Sequence, residues 1–300
     1  MRIGQRMRID HQTAEVVAAL REVDVEPVLL KGPAVARWLY DGPGERTYVD
    51  IDLLVPPDCF DTAEERLIAE GFRAWDEGPS ADHAVTLVRP GDHASVDLHR
   101  CLHGTEAAAP ELVRAAVWTD HDELELGSCT VAVPSVPVRL LHAVLHLRPK
   151  DQAGSQAWTD LERAVQREPL EAWRRAVDIG RTLGVDGDIG PLLRLVGGGA
   201  DLADQLGLSR KPSEGLLCEH RRNAPGLSRT RHRLHGLAPT ERLRLLRRIV
   251  LPPADAMRRS YPVASKGSSG LVLAYLWRPC SVLGDWIGHR RRTGGRPTLR

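Results

Sequence analysis

Residues 48–55 read Tyr-Val-Asp-Ile-Asp-Leu-Leu-Val, an apolar run that carries two carboxylates. Side chains two apart on a strand share a face, so Asp50 and Asp52 project together while Ile51 enters the core. Pro56-Pro57 closes the run. The chain must therefore build a sheet with an acidic pair at the edge of its core.

The flanking sequence supplies that sheet. Apolar spacing predicts a helix over 13–23, a buried strand at 27–30, and a helix from Pro33 through Tyr40 that Asp41-Gly42-Pro43-Gly44 breaks. The acidic strand at 48–55 is followed by a helix near 58–70 that stops at Gly71. Two further strands, 84–89 and 94–99, flank the turn-like Pro90-Gly91-Asp92 and form a hairpin. An antiparallel pair beside β-α-β-α sequence implies a mixed sheet. After a short strand at 129–133, Pro134-Ser135-Val136-Pro137 leads into helical sequence, with helices at 138–147, 158–167, 170–183, 200–206, 240–250 and 270–288. Loops are expected at 184–190, 197–200 and 223–228. The fold class is α+β, a mixed sheet flanked by helices with a helical C-terminal domain. A 300-residue chain lies where one core splits into two, so residues 1–135 are read as a catalytic domain and 136–300 as the helical one.

The first ten residues carry Arg2, Arg6 and Arg8 without an apolar stretch, and no segment reaches about 18 uninterrupted apolar residues. The expectation is a cytoplasmic protein without membrane association. Five scattered cysteines at 59, 101, 129, 218 and 280 form no Cys-x-x-Cys pair and read as reduced thiols. The formal net charge of +1 conceals an asymmetry: residues 1–200 hold 21 Lys/Arg against 33 Asp/Glu, and residues 201–300 hold 20 against 7. The candidates to face that basic third are a nucleic acid, a polyphosphate, an acidic partner or the acidic part of the same chain.

Two carboxylates on one strand face repel unless a cation sits between them. Hard oxygen ligands favour Mg²⁺ or Mn²⁺, bound together with the oxygens of a substrate phosphate. Asp97, in Val96-Asp97-Leu98 on the neighbouring strand, is a third carboxylate of the same style. Three carboxylates can hold two metals, with Asp50 and Asp52 bridging and Asp97 on the nucleophile side. Lys31-Gly32, between a strand and a helix, is a candidate phosphate-binding turn. His99 shares the strand face of Asp97. His142 and His146 are four apart on a helix, but the glutamate of a His-Glu-x-x-His zinc site is missing, so His142 is a candidate for substrate contact or packing. Asp160 is a candidate for substrate contact, for capping its helix or for pairing with an arginine. Lys266 to Gly270 reads as a flexible connector, and Leu271 to Trp277 as a core helix.

Leu30-Lys31-Gly32, Tyr40, Arg46, Asp50-Ile51-Asp52-Leu53-Leu54-Val55 and Val96-Asp97-Leu98-His99, in this order and spacing, resemble the uncharacterised nucleotidyltransferase family of the DNA polymerase β-like superfamily. The resemblance continues through Leu141 to His146 and Trp158 to Leu161, and is loose over the last 100 residues. It implies transfer of a nucleoside monophosphate from an NTP, ATP first among them, to an acceptor hydroxyl or phosphate with release of pyrophosphate. The acceptor classes are a small molecule such as an antibiotic, a peptide, or the 3′ end of an RNA. By the same resemblance Lys31 and Gly32 fall on phosphate-loop positions, Asp50, Asp52 and Asp97 on metal carboxylates, and Arg46 on an arginine that contacts phosphate or braces an aspartate. One departure stands out: the superfamily commonly has Gly-Ser in the phosphate loop, whereas Pro33 follows Gly32 and offers neither hydroxyl nor N–H. That departure motivates the alternative of a non-catalytic nucleotide-binding or interaction module.

Overall fold

The computed structural model describes residues 3–42, 44–75, 84–92, 94–147 and 153–213, together with 263, 267, 269–273 and 275. The chain divides into two compact units, Met1–Ser213 and Glu214–Arg300.

In the first unit the order is α1 (Ile3–Arg21), β1 (Val28–Leu29), α2 (Pro33–Leu39), β2 (Asp50–Leu54), α3 (Phe60–Ala69), β3 (Arg73–Ala74), β4 (Ala84–Val88), β5 (Ser95–His99), α4 (Pro110–Trp118), β6 (His121–Leu126) and β7 (Cys129–Pro134). Five helices follow: α5 (Val136–His146), α6 (Gln156–Arg167), α7 (Leu170–Thr182), α8 (Asp186–Leu193) and α9 (Gly199–Gln205). The position expected to separate sheet from helices, near residue 135, is the β7–α5 junction, and it lies inside this unit.

The seven strands form one mixed sheet in the order β3-β4-β5-β2-β1-β7-β6. β2 runs parallel to β5 and β1 parallel to β7, while β1–β2, β4–β5, β3–β4 and β6–β7 are antiparallel. The mixed α+β architecture is the one the sequence implies. Ile51, Leu53 and Val55 of the acidic run belong to a buried cluster with Ile9, Val17 and Leu20 of α1 and Phe60 and Leu67 of α3. Burying each such side chain stabilises by about 1.5–3 kcal/mol. A one-residue slip of β2 would exchange these residues for Asp50 and Asp52, so the apolar face fixes the register that presents the acids.

Several elements differ from expectation, among them α4 and β3, for which the sequence reading had no counterpart. The first helix begins at Ile3, ten residues earlier, and Arg6 packs over the Tyr48 ring and donates to its hydroxyl. β6 was not expected, because half of His121-Asp-Glu-Leu-Glu-Leu126 is acidic; it lies at the sheet edge, where exposed charges discourage further strand pairing. A loop was expected at 184–190, a stretch that holds Gly184, Gly187 and Gly190, yet α8 starts at Asp186. A Cβ on Gly190 would collide with the Ser209 carbonyl oxygen, so that glycine answers to close packing rather than to a turn.

In the second unit residues 269–273 and 275 are helical, as the apolar run suggests, but Val272 and Leu273 are 58% and 59% exposed, so the run is not buried all round. Ser269 and Gly270, expected in a connector, already belong to this helix. The helix expected at 240–250, the loop at 223–228, Lys266 and nearly all of the basic third lie outside the described residues. Among the described residues no helix is long and apolar enough to cross a membrane, and Cys59, Cys101 and Cys129 are free thiols.

Candidate active site

β2 and β5 place the carboxylates. The parallel register sets Asp52 opposite Asp97 and Asp50 opposite Ser95, so Asp50, Asp52, Asp97 and His99 all lie on the sheet face opposite Ile51. Their surroundings then differentiate them.

Asp52 is 2% exposed. Its Oδ1 accepts from Lys31 Nζ at 2.7 Å and lies 3.1 Å from His99 Nε2; Oδ2 is buried with no hydrogen-bond partner among the described residues. Burial alone would raise the proton affinity of this group, but the Lys31 charge and the His99 hydrogen bond outweigh it and hold the carboxyl far below the usual range. Asp50 behaves in the opposite way: burial, then repulsion from Asp52, push its pKa up. Asp97 accepts from Thr86 Oγ1 at 2.6 Å. Among the described residues no group of three or more His, Cys, Asp or Glu side chains is arranged to hold a metal ion. The three carboxylates share a face without forming a closed set of ligands.

Gly32 adopts φ +59°, a conformation L side chains rarely take, and its carbonyl receives both Ala36 N and Arg46 Nη1. Pro33 opens α2, as expected, and the Ala34 N–H is taken by the Lys31 carbonyl. Neither position 33 nor position 34 therefore offers a free backbone donor.

Arg46 is 6% exposed and forks onto Asp160, with Nη2–Oδ2 at 2.9 Å and Nε–Oδ1 at 3.0 Å. Asp160 also accepts from the Tyr40 hydroxyl at 2.6 Å and the Gln156 amide at 3.0 Å. Burial, then the bond to Asp160, push the Tyr40 phenol well above its ordinary value, which keeps it a donor. Of the alternatives left open for Asp160, the pairing with an arginine is what the structure shows, and its helix is capped instead by Ser155.

Lys31, Gly32, Arg46, Asp50, Gln156 and Asp160 line an open cavity of about 290 Å³. A smaller gap of about 20 Å³ adjoins it, where Lys31 and Arg46 meet His142 and His146 of α5. The His142 and His146 rings are 5.8 Å apart. Burial, then the charges of Lys31, His146 and His99, hold His142 well below its ordinary pKa, so it is neutral. The structure thus gathers Lys31, Gly32, Arg46, Asp50 and Asp160 around one cavity, with Asp52 against Lys31 and His142 in the adjoining gap; Asp97 and His99 stand on the next strand.

Thr86 and Gln156 escaped the sequence reading, although a signal existed for each. Centring the hairpin between Gly91 and Asp92 puts residue 86 opposite 97, and Gln156 stands four before Asp160 on one helix face.

The protein is similar to several solved structures. The solution structure of antibiotic-resistance factor ANT(2'')-Ia has 17% identity and a TM-score of 0.41, over 57% of this chain and 91% of that one. An antigenic nucleotidyltransferase-like protein from Paracoccidioides brasiliensis has 14% identity and a TM-score of 0.39, over 63% and 93%. A tRNA-processing enzyme in an apo form has 14% identity and a TM-score of 0.26, over 90% and 77%. No curated protein matches in sequence. The family described as "Uncharacterised nucleotidyltransferase" matches residues 3–197, which is more than half of the chain and includes the whole cavity, and the protein therefore belongs to that nucleotidyltransferase family.

Proposed function

We propose that this nucleotidyltransferase moves a nucleoside monophosphate from an NTP, with ATP the first candidate, to an acceptor hydroxyl or phosphate by a two-metal route that releases pyrophosphate. The observation that carries the reading is Asp52: a buried, ionised carboxylate with one oxygen paired and the other bare. A hard dication is the natural partner of such an oxygen, and Asp50 and Asp97 add carboxylates on the same face. Bound there, Mg²⁺ or Mn²⁺ would neutralise charge on the triphosphate and lower the pKa of the acceptor hydroxyl.

The chain's own residues supply the rest. Lys31 and Arg46 are the cations of the cavity wall and bind phosphate with help from neighbouring amides, since Pro33 has no N–H and that of Ala34 is engaged. The bonds to Asp160 and Gly32 use three of the five guanidinium N–H groups of Arg46. Asp160, Tyr40 and Gln156 hold that guanidinium in place, so Asp160 acts on substrate through Arg46. Asp97, oriented by Thr86, takes the acceptor proton. His142, kept neutral, lines the adjoining gap with Lys31, and His99 fixes Asp52. The candidate acceptors are a small molecule, a peptide or an RNA 3′ end, and the basic residues beyond 200 favour a polyanionic one.

The test is incubation with Mg²⁺ and each labelled NTP, with and without bulk tRNA, followed by assay of pyrophosphate. Release with at least one NTP is expected. No release together with no NTP-induced thermal shift would overturn the reading.

A further inference from the structure

We infer that Lys31 is a built-in counter-ion which the metal must displace from Asp52, so that divalent cations bind weakly until a triphosphate gives the freed ammonium a new partner. This rests on the reading of Asp52 as a metal ligand.

The Lys31 ammonium is 2.7 Å from Asp52 Oδ1, and the two side chains are 17% and 2% exposed. A dication on the same carboxylate would sit roughly 2.0–2.1 Å from an oxygen, within a few ångströms of the ammonium in a region largely shielded from water. Across a single buried carboxylate the two cations repel strongly, so each weakens the hold of the other. Removing Lys31 without replacement is equally unfavourable, because it leaves a buried carboxylate unpaired. The two cations are therefore exchangeable occupants of one carboxylate.

The displaced ammonium has somewhere to go. Lys31 ends on a flexible four-carbon stem and lines the open cavity beside Arg46. A triphosphate there would take the ammonium from Asp52 as the metal arrives. Nucleotide and metal then assist each other, and by linkage the assistance is reciprocal. Without nucleotide, the chain keeps Asp52 compensated by its own lysine.

Mn²⁺ binding, measured from the electron paramagnetic resonance of free Mn²⁺, tests this in wild type, Lys31→Met and Lys31→Arg, with and without a non-hydrolysable NTP analogue. Wild type should bind Mn²⁺ weakly alone and on the order of tenfold tighter with the analogue. Lys31→Met should bind Mn²⁺ on the order of tenfold tighter than wild type without nucleotide and lose most of the enhancement, whereas Lys31→Arg should stay weak. Lys31→Met binding no tighter than wild type overturns the inference.

If Lys31→Met does not fold, the wild-type protein decides the matter. Its four lysines (31, 150, 211 and 266) can be followed separately by mass spectrometry after reductive methylation. Lys31 should label slowly in metal-free protein, faster with Mn²⁺ alone and slowly again with Mn²⁺ plus analogue. A Lys31 labelling rate indifferent to Mn²⁺ overturns the inference. Absence of Mn²⁺ binding in wild type even with the analogue would remove the metal reading itself, whereas tight nucleotide-independent binding in wild type would remove only the exchange.

Discussion

Two ion pairs stand on one cavity wall. Lys31–Asp52 and Arg46–Asp160 have nearly equal lengths, 2.7 Å and 2.9 Å, and in both the acid is buried. They differ in how much of each acid is used. Asp160 meets a guanidinium fork, a phenol and an amide, which leaves neither oxygen bare. Asp52 meets an ammonium and an imidazole on one oxygen, and its other oxygen has no partner. A fork matches a carboxylate bidentately, whereas an ammonium is a point charge on a flexible stem. The saturated pair ties β2's approach to α6, and the unsaturated one is left open to a ligand. Burial and charge alone would not have separated them; the count of satisfied lone pairs does.

Breaking the open side should have the largest consequence. Asp50→Asn and Asp52→Asn should each lower the transfer rate on the order of 10³-fold, the scale for losing a preorganised electrostatic contact to a reacting group. Asp50 carries a raised pKa from burial and from the repulsion of Asp52, so neutralising it relieves repulsion and should leave folding stability within about 1 kcal/mol of wild type. Pyrophosphate release and urea melts check the two halves of this statement. A fully active Asp50→Asn would refute its assignment, and an unfolded one would show that Asp50 is structural.

Breaking the saturated side should instead cost stability. Asp160→Leu leaves a guanidinium buried without its partner and should destabilise by about 3–5 kcal/mol. Arg46→Met should cost a similar amount, and the double variant far less than the sum, because the pair can be exchanged for apolar packing. Additive losses in the double-mutant cycle would mean that the two side chains stabilise separately. Tyr40→Phe removes one hydrogen bond to Asp160 and should cost about 1 kcal/mol.

The sequence discloses these two sites unequally. The period of two in residues 48–55 and the hairpin around Pro90-Gly91-Asp92 are local, so the acid face and β4–β5 could be read directly. The facing of Asp52 and Asp97 needs β2 and β5 to lie parallel as neighbours, with α3, β3 and β4 between them in sequence, which no local pattern encodes. Lys31 was expected to meet phosphate, and its bond to an acid 21 residues away emerges only when β1 and β2 pair. The Arg46–Asp160 fork spans 114 residues and joins the β2 approach to α6. β6 and α8 were hidden for the opposite reason: edge charge and packing glycines mimic loop sequence.

The smallest effect sharpens the contrast from beside the open pair. His142 is held well below its ordinary pKa of 6.5 by burial, then by Lys31, His146 and His99, so it is neutral when folded and takes up a proton below pH 6.5 when unfolded. Its contribution to stability is therefore present above about pH 6.5 and is lost as pH falls below that value, by at most about 1.4 kcal/mol per pH unit. Asp52, also depressed, loses its contribution only as pH falls through and below its ordinary 3.8, so the two losses begin at different pH. Urea midpoints measured from pH 7.5 to 5 should fall for wild type and fall less for His142→Gln, which cannot titrate. Equal slopes in the two proteins would mean that His142 accepts its proton without unfolding, and that the gap beside Lys31 tolerates a second cation.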